Sequence, residues 1–404
     1  MLQASFAELI ASKSASPFSN PSGPPSPLLQ ALGAVAGKSP GTSNGDVWSA
    51  GFQPLPFIDA VTREAHTRME TFVRGVRTYQ AHPYRRVLTP PPVAWGRGVA
   101  TVLDYGGPED GPPALFVPSL INRAYILDLA EDRSLMRAAA ASGLHAFLLD
   151  WGDPDAYPGA TERGFTVEDY IEGVLIPALE EIKHRTGKIP RLVGYCLGGT
   201  LTVAPAVLRP DLVSALVLLA APWDFHNGTE ASRVLLDLSR AIIDVVLTSQ
   251  GTAPIDLLQA LFASLDPTLV GRKFRNFAGL DPASEPARRF VALEDWLNDG
   301  VPLAGPLARQ VLFGWYGAND PLEGRWKVGS TVIDPRRIVC PSLVFIPTQD
   351  RIVPPGSAQK LADLIPQAET RSIDLGHIGM VSGGSAPRRL YEPVLKWLKN
   401  PPTP

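Results

Sequence analysis

A cysteine in a glycine-framed turn, a histidine late in the chain and an aspartate before it could together carry out acyl transfer. Gly194-Tyr195-Cys196-Leu197-Gly198 stands directly after the apolar run Arg191 to Tyr195 and directly before a helical pattern. Strand, tight turn and helix in that order expose the central side chain at the top of a sheet. The glycines have a mechanical reason, because a strained turn that brings helix and strand together leaves no room for side chains beside the nucleophile. The Cys196 thiol then faces the ligand crevice, and the Leu197 N–H, at the helix start, points at the oxygen of a bound carbonyl. The competing assignment is a buried structural cysteine, the usual fate of a lone one.

A thiol nucleophile needs a base, and six histidines are available: His66, His82, His145, His184, His226 and His377. Only His377, in Leu375-Gly376-His377-Ile378-Gly379, lies in a loop between the last strand and the final helix, where an α/β-hydrolase scaffold carries its base. His226 belongs to an insertion and could line the pocket, and the other four read as surface or packing residues. The orienting acid should lie between nucleophile and base in chain order. Asp350, in Thr348-Gln349-Asp350-Arg351-Ile352-Val353-Pro354, is 154 residues after Cys196 and 27 before His377. That short second interval spans one helix and one strand and returns both residues to the same sheet edge. Asp224, just after an earlier strand, is the alternative acid. For a second oxyanion donor the loop Pro118-Ser119-Leu120-Ile121-Asn122-Arg123 is the expected source, with the Ile121 N–H as the chosen group.

The elements that must position these residues follow from pattern. Strands are expected at Val99 to Asp104, Ala114 to Val117, Leu144 to Leu149, Arg191 to Tyr195, Val213 to Leu219, Ser342 to Ile346 and Thr370 to Ile373. Helical patterns alternate with them near residues 134–141, 167–184, 199–208, 357–365 and 387–399. Such alternation predicts an α/β fold with a mostly parallel sheet, the α/β-hydrolase fold with a helical cap insertion. The expected organisation is a flexible Ser/Pro/Gly-rich arm over 1–50, a helical segment over 51–92, a core of 93–222 and 336–400, and a cap over 223–335. A cap so placed covers the carboxyl ends of the strands, where open α/β sheets bind ligands. Within the arm the one apolar stretch is Leu28 to Val35, and from Phe57 to Tyr79 apolar residues recur at three and four, the period of an amphipathic helix.

Composition excludes several partners. The 404 residues carry 37 Lys plus Arg against 40 Asp plus Glu, so the basic excess that neutralises phosphates is missing and nucleic acid is not an expected partner. Two cysteines, Cys196 and Cys340, are too few for a disulfide scaffold, which points to a reducing cytoplasm. No apolar run of spanning length occurs, no His/Cys/Asp cluster has metal-ligand spacing, and no nucleotide-binding glycine loop is present.

A cysteine in this position stores an acyl group as a thioester, close in energy to a coenzyme A thioester, so loading is nearly isoenergetic. If a cap excludes water, the next step can be esterification of an alcohol. The chain also resembles the polyhydroxyalkanoate synthases, most nearly the shorter kind that works with a partner subunit. The resemblance is carried by Val117 to Leu129, by Asp132-Arg133-Ser134-Leu135 and by Leu149-Asp150-Trp151-Gly152-Asp153-Pro154. Gly194 to Leu201, Gln349 to Pro355 and Gly376-His377-Ile378-Gly379 complete it. Where that family commonly has histidine after the aspartate, this chain has Arg351. The resemblance implies that Cys196 carries the growing acyl chain, His377 activates Cys196 and the incoming hydroxyl, and Asp350 supports His377. It further implies a 3-hydroxyacyl coenzyme A substrate, coenzyme A entering only as part of that substrate and no other cofactor or metal. The growing polyester and a second synthase subunit or second copy would be partners, at polyester granules in the cytoplasm. A cysteine esterase, thioesterase or polyester depolymerase would use the same acyl enzyme, and a non-catalytic granule-associated or partner protein is the third reading. Asp150 and Asp153, remote from the nucleophile turn in sequence, read as loop-fixing residues rather than an acid/base pair.

Overall fold

The computed structural model describes residues 54–402 apart from 158 and 229. The arm expected over residues 1–50, with its Leu28 to Val35 stretch, lies outside the described residues. The described chain divides into two units, residues 54–83 with 266–288, and residues 84–265 with 289–402.

The larger unit is built on one eight-stranded sheet. Its strands are β1 Val93–Arg97, β2 Ala100–Asp104, β3 Pro113–Val117, β4 His145–Asp150, β5 Arg191–Tyr195, β6 Ala215–Leu219, β7 Ser342–Pro347 and β8 Glu369–Ile373. Their spatial order is β1-β2-β4-β3-β5-β6-β7-β8. The β1/β2 and β2/β4 pairs are antiparallel. All other pairs are parallel. Every expected strand is present, with ends displaced by one or two residues, and the expected mostly parallel α/β fold is borne out. β1 was not expected, because Val-Ala-Trp-Gly-Arg holds no apolar run; it is a partly exposed edge strand paired through a bulge.

The inner strands β3, β6 and β7 are buried along their whole length, as strands covered on both faces must be. Alternation then sorts their side chains. Leu115 and Val117 join an apolar cluster on one face, and Ala114 and Phe116 join the cluster on the other. The helical pattern over 167–184 forms Val167–Tyr170, a π-helical turn Ile171–Leu175 and Ile176–Thr186, closed by Gly187 in the left-handed region at φ 66°.

Four helices matter below: α1 Pro54–Gln80, α2 Leu197–Leu208, α3 Glu230–Gln250 and α4 Leu269–Phe277. In the smaller unit α1 packs on α4, where the Phe72 and Tyr79 rings meet Phe274 edge-on at 6.0 and 5.8 Å. The chain between β6 and β7 is mainly helical. In the larger unit it contributes α3, Ile255–Leu265, Gly305–Arg309 and a π-helical stretch Gln310–Gly317. Among the described residues, no helix is long and apolar enough to cross a membrane.

Candidate active site

The nucleophile turn is held by its strand, its helix and a neighbouring loop at once. Cys196 follows β5 with φ 56° and ψ −132°, a conformation that costs a non-glycine residue about 1–3 kcal/mol and persists only where the surroundings enforce it. The enforcement is visible: the Cys196 N–H donates to the Leu219 carbonyl at the end of β6, 2.9 Å away, and α2 starts on the next residue. Gly194 and Gly198 allow this approach. A Cβ on Gly198 would come within 2.2 Å of the Pro118 carbonyl oxygen, and one on Gly194 within 2.4 Å of the Gly199 Cα.

The acid and base lie in the loops after β7 and β8. His377 and Asp350 are both buried, 7% and 6% exposed, and His377 Nδ1 donates to Asp350 Oδ2 over 2.6 Å. Asp350 Oδ1 is fixed independently, accepting from the N–H groups of Ile352 and Val353 at 2.8 Å each. The carboxylate therefore cannot rotate without losing two backbone hydrogen bonds. On the other side the Cys196 side chain is near enough to act on the imidazole through its charge. Burial works against the charged imidazole. The negative charge of Cys196, the hydrogen bond to Asp350 and the charge of Asp350 outweigh it and raise the pKa to about 10. A histidine so placed exists as imidazolium at neutral pH.

Asp224, the alternative acid, is engaged elsewhere. Its Oδ1 accepts from Asn319 Nδ2 at 2.9 Å and from the His226 N–H at 3.0 Å, organising the turn after β6. Three of the other histidines also have structural partners: His82 meets the Pro282 carbonyl, His145 meets Asp104, and His226 meets the Gly317 carbonyl. Asp150 and Asp153 accept from the backbone N–H groups of Gly152 and Asp155. They fix loops, as expected.

Of the two amides chosen for an oxyanion, Leu197 is the first residue of α2, where an N–H has no acceptor within its own helix. The Ile121 N–H donates to Ser119 Oγ at 3.2 Å, so it can serve an oxyanion only if that hydroxyl yields. Ile121 lines a cavity of about 830 Å³, a volume in the range of small-molecule sites. Ile352 and Val353 line it from the loop after β7, and Leu236, Leu258, Leu312 and Tyr316 line it from the segment between β6 and β7. Among the described residues no cluster of His, Cys, Asp and Glu could hold a metal ion.

Two tyrosines near the site escaped sequence reasoning. The Tyr195 ring stacks on the His377 imidazole, centroids 5.2 Å apart, and its hydroxyl donates to the His377 carbonyl at 3.2 Å. Its place immediately before the nucleophile was a signal that could have been used. Tyr316 lies 120 residues beyond Cys196 in a segment without a readable period.

Residues 115–383, which include Cys196, Asp350 and His377, match the family described as alpha/beta hydrolase fold. The poly(3-hydroxyalkanoate) polymerase subunit PhaC of Allochromatium vinosum is 32% identical over 299 residues, covering 72% of this chain and 82% of that protein. The chain belongs to the PhaC family. The PhaC subunit of Synechocystis is likewise 32% identical, over 71% of this chain and 77% of its own length. That of Cupriavidus necator is 29% identical, over 67% of this chain and 46% of its own. The expected family is thus borne out.

Proposed function

We propose that this PhaC-family protein polymerises 3-hydroxyacyl coenzyme A into polyhydroxyalkanoate, with Cys196 as the acyl carrier, His377 as the acid/base and Asp350 as its orienter. What carries the reading is the fixed Asp350–His377 pair beside Cys196 on the nucleophile turn of a chain whose relatives are named polymerase subunits. The Cys196 thiolate attacks the thioester carbonyl. A new S–C bond forms, the carbonyl electrons move to oxygen, and the Leu197 N–H stabilises that oxyanion. As the intermediate collapses, the bond to coenzyme A breaks and the departing thiolate takes the His377 proton. His377, now neutral, accepts the proton of an incoming 3-hydroxyl as its oxygen attacks the Cys196 thioester. The ester forms, and the thiol and imidazole regain their starting charges. Coenzyme A acts as leaving group, and no other cofactor or metal is called for. The acyl-CoA substrate, the growing polyester, and a second subunit or second copy are the partners of this reading, at polyester granules in the cytoplasm.

The test is incubation of the purified full chain with 3-hydroxybutyryl coenzyme A, following thiol release and identifying the acyl product. Release with insoluble polyester, lost in Cys196→Ala, is expected. Release with only free 3-hydroxybutyrate would assign a thioesterase instead, and undiminished turnover in Cys196→Ala would overturn the mechanism.

A further inference from the structure

The acylation step needs two donors at its oxyanion, and the loop after β3 offers one that is already engaged by Ser119. A different donor faces the same cavity. Tyr316 lies at the end of the π-helical stretch Gln310–Gly317, a backbone irregularity that recurs at functional sites, and it lines the cavity together with Ile121 and Ile352. Its ring is fixed edge-on against Phe225, centroids 4.9 Å apart. Phe225 is in turn held by its N–H donating to Asn319 Oδ1 at 2.9 Å. The wall is therefore rigid where the phenol emerges. Tyr316 is partly buried, and among the described residues its hydroxyl has no hydrogen-bond partner.

We infer that the Tyr316 hydroxyl is a second oxyanion donor, hydrogen-bonding the thioester carbonyl oxygen as the Cys196 thiolate adds to it. The inference rests on the acyl-enzyme reading above but not on coenzyme A as the leaving group. In this step the Cys196 S–C bond forms and the carbonyl electrons move to oxygen. The phenol lends its hydrogen bond without giving up its proton, and His377 supplies the proton that the leaving group takes. The phenol stays protonated across the working range, because burial first, then the charges of Cys196 and Asp350, push its pKa up. Tyrosine hydroxyls serve in this way elsewhere, and losing one such donor costs about 10²–10³ in rate.

Two reactions of the same thiol separate this role from a structural one. Acylation by p-nitrophenyl butyrate builds an oxyanion, whereas alkylation by iodoacetamide does not. In Tyr316→Phe, which keeps the ring and its packing, the acylation rate constant should fall about 10²-fold while the alkylation rate stays within twofold. Equal slowing of both would reassign Tyr316 to activating or placing the thiol, and acylation within twofold of wild type would remove it from the site; either overturns the inference. If wild type is acylated at Cys196 by the nitrophenyl ester but not by 3-hydroxybutyryl coenzyme A, the polymerase reading fails and the donor role stands.

Discussion

Asp350→Asn tests whether the acid orients the base through one oxygen alone. In the native site Oδ1 accepts from two backbone N–H groups and Oδ2 faces His377 Nδ1 at 2.6 Å. An asparagine that keeps its oxygen on Ile352 and Val353 must aim its amide NH₂ at Nδ1. Nδ1 then becomes the acceptor, and the ring proton moves to Nε2, where it blocks proton transfer from Cys196. The reverse orientation places the NH₂ against two donors and loses both hydrogen bonds. Both orientations are poor, and this tautomer conflict lowers rates by up to about 10⁴ in serine triads. A thiol is less dependent on its base than a hydroxyl, so we expect a loss of about 10²–10⁴. The variant also loses a charge-assisted hydrogen bond of about 1.5–3 kcal/mol, which lowers the imidazolium pKa by roughly 1–2 units. Single-turnover coenzyme A release measured from pH 5 to 10 reads both effects, with circular dichroism to confirm folding. A variant within tenfold of wild type, with an unmoved pH profile, would refute the reasoning.

Gly198→Ala should leave little or no folded protein, because a Cβ at 2.2 Å from the Pro118 oxygen must push α2 from the loop after β3; soluble yield and thermal melting check it. Tyr195→Phe removes the hydroxyl that donates to the His377 carbonyl, and should cost about 0.5–1.5 kcal/mol in a denaturant titration with the triad chemistry retained. Folding raises the His377 pKa to about 10 from an unfolded value near 6.5. The resulting stabilisation is complete below the unfolded value and is lost as pH rises through the folded one. The Tm should therefore decline between pH 7 and 10, and decline less in Cys196→Ala, where the negative partner is gone; parallel pH profiles would contradict this account of the shift.

Legibility in the sequence followed the range of each interaction. Strand runs such as Arg191 to Tyr195 carry their own signature, and the β5–Cys196–α2 turn is written in one decapeptide whose glycines admit the close approach of Gly199 and of the Pro118 carbonyl. The meeting of Asp350 with His377 could be read because both follow strands that end at the same sheet edge. The Ile121 amide was harder, since its direction depends on a hydroxyl two residues earlier. Tyr316 was not readable at all. Its presence at the cavity depends on how a π-helical segment packs on Phe225, a contact between residues 91 apart, and no periodicity announces it. The edge strand β1 escaped for a related reason, because it is stabilised by pairing rather than by an apolar run.

The long segment between β6 and β7 also bears on the timing of synthesis. Ser342 must pair beside Leu216 to bring Asp350 under His377, closing a loop of well over a hundred residues. The entropic cost of so long a closure grows only logarithmically with length, so equilibrium stability is little affected. Chronology is affected more. On the ribosome the thiol emerges 154 residues ahead of its acid, a delay of roughly 10–30 s at ordinary elongation speeds. During that interval the nascent chain displays a cysteine with neither base nor orienting carboxylate. Arming occurs only when the last two strands dock, so a truncated or stalled chain carries the thiol without its acid and base.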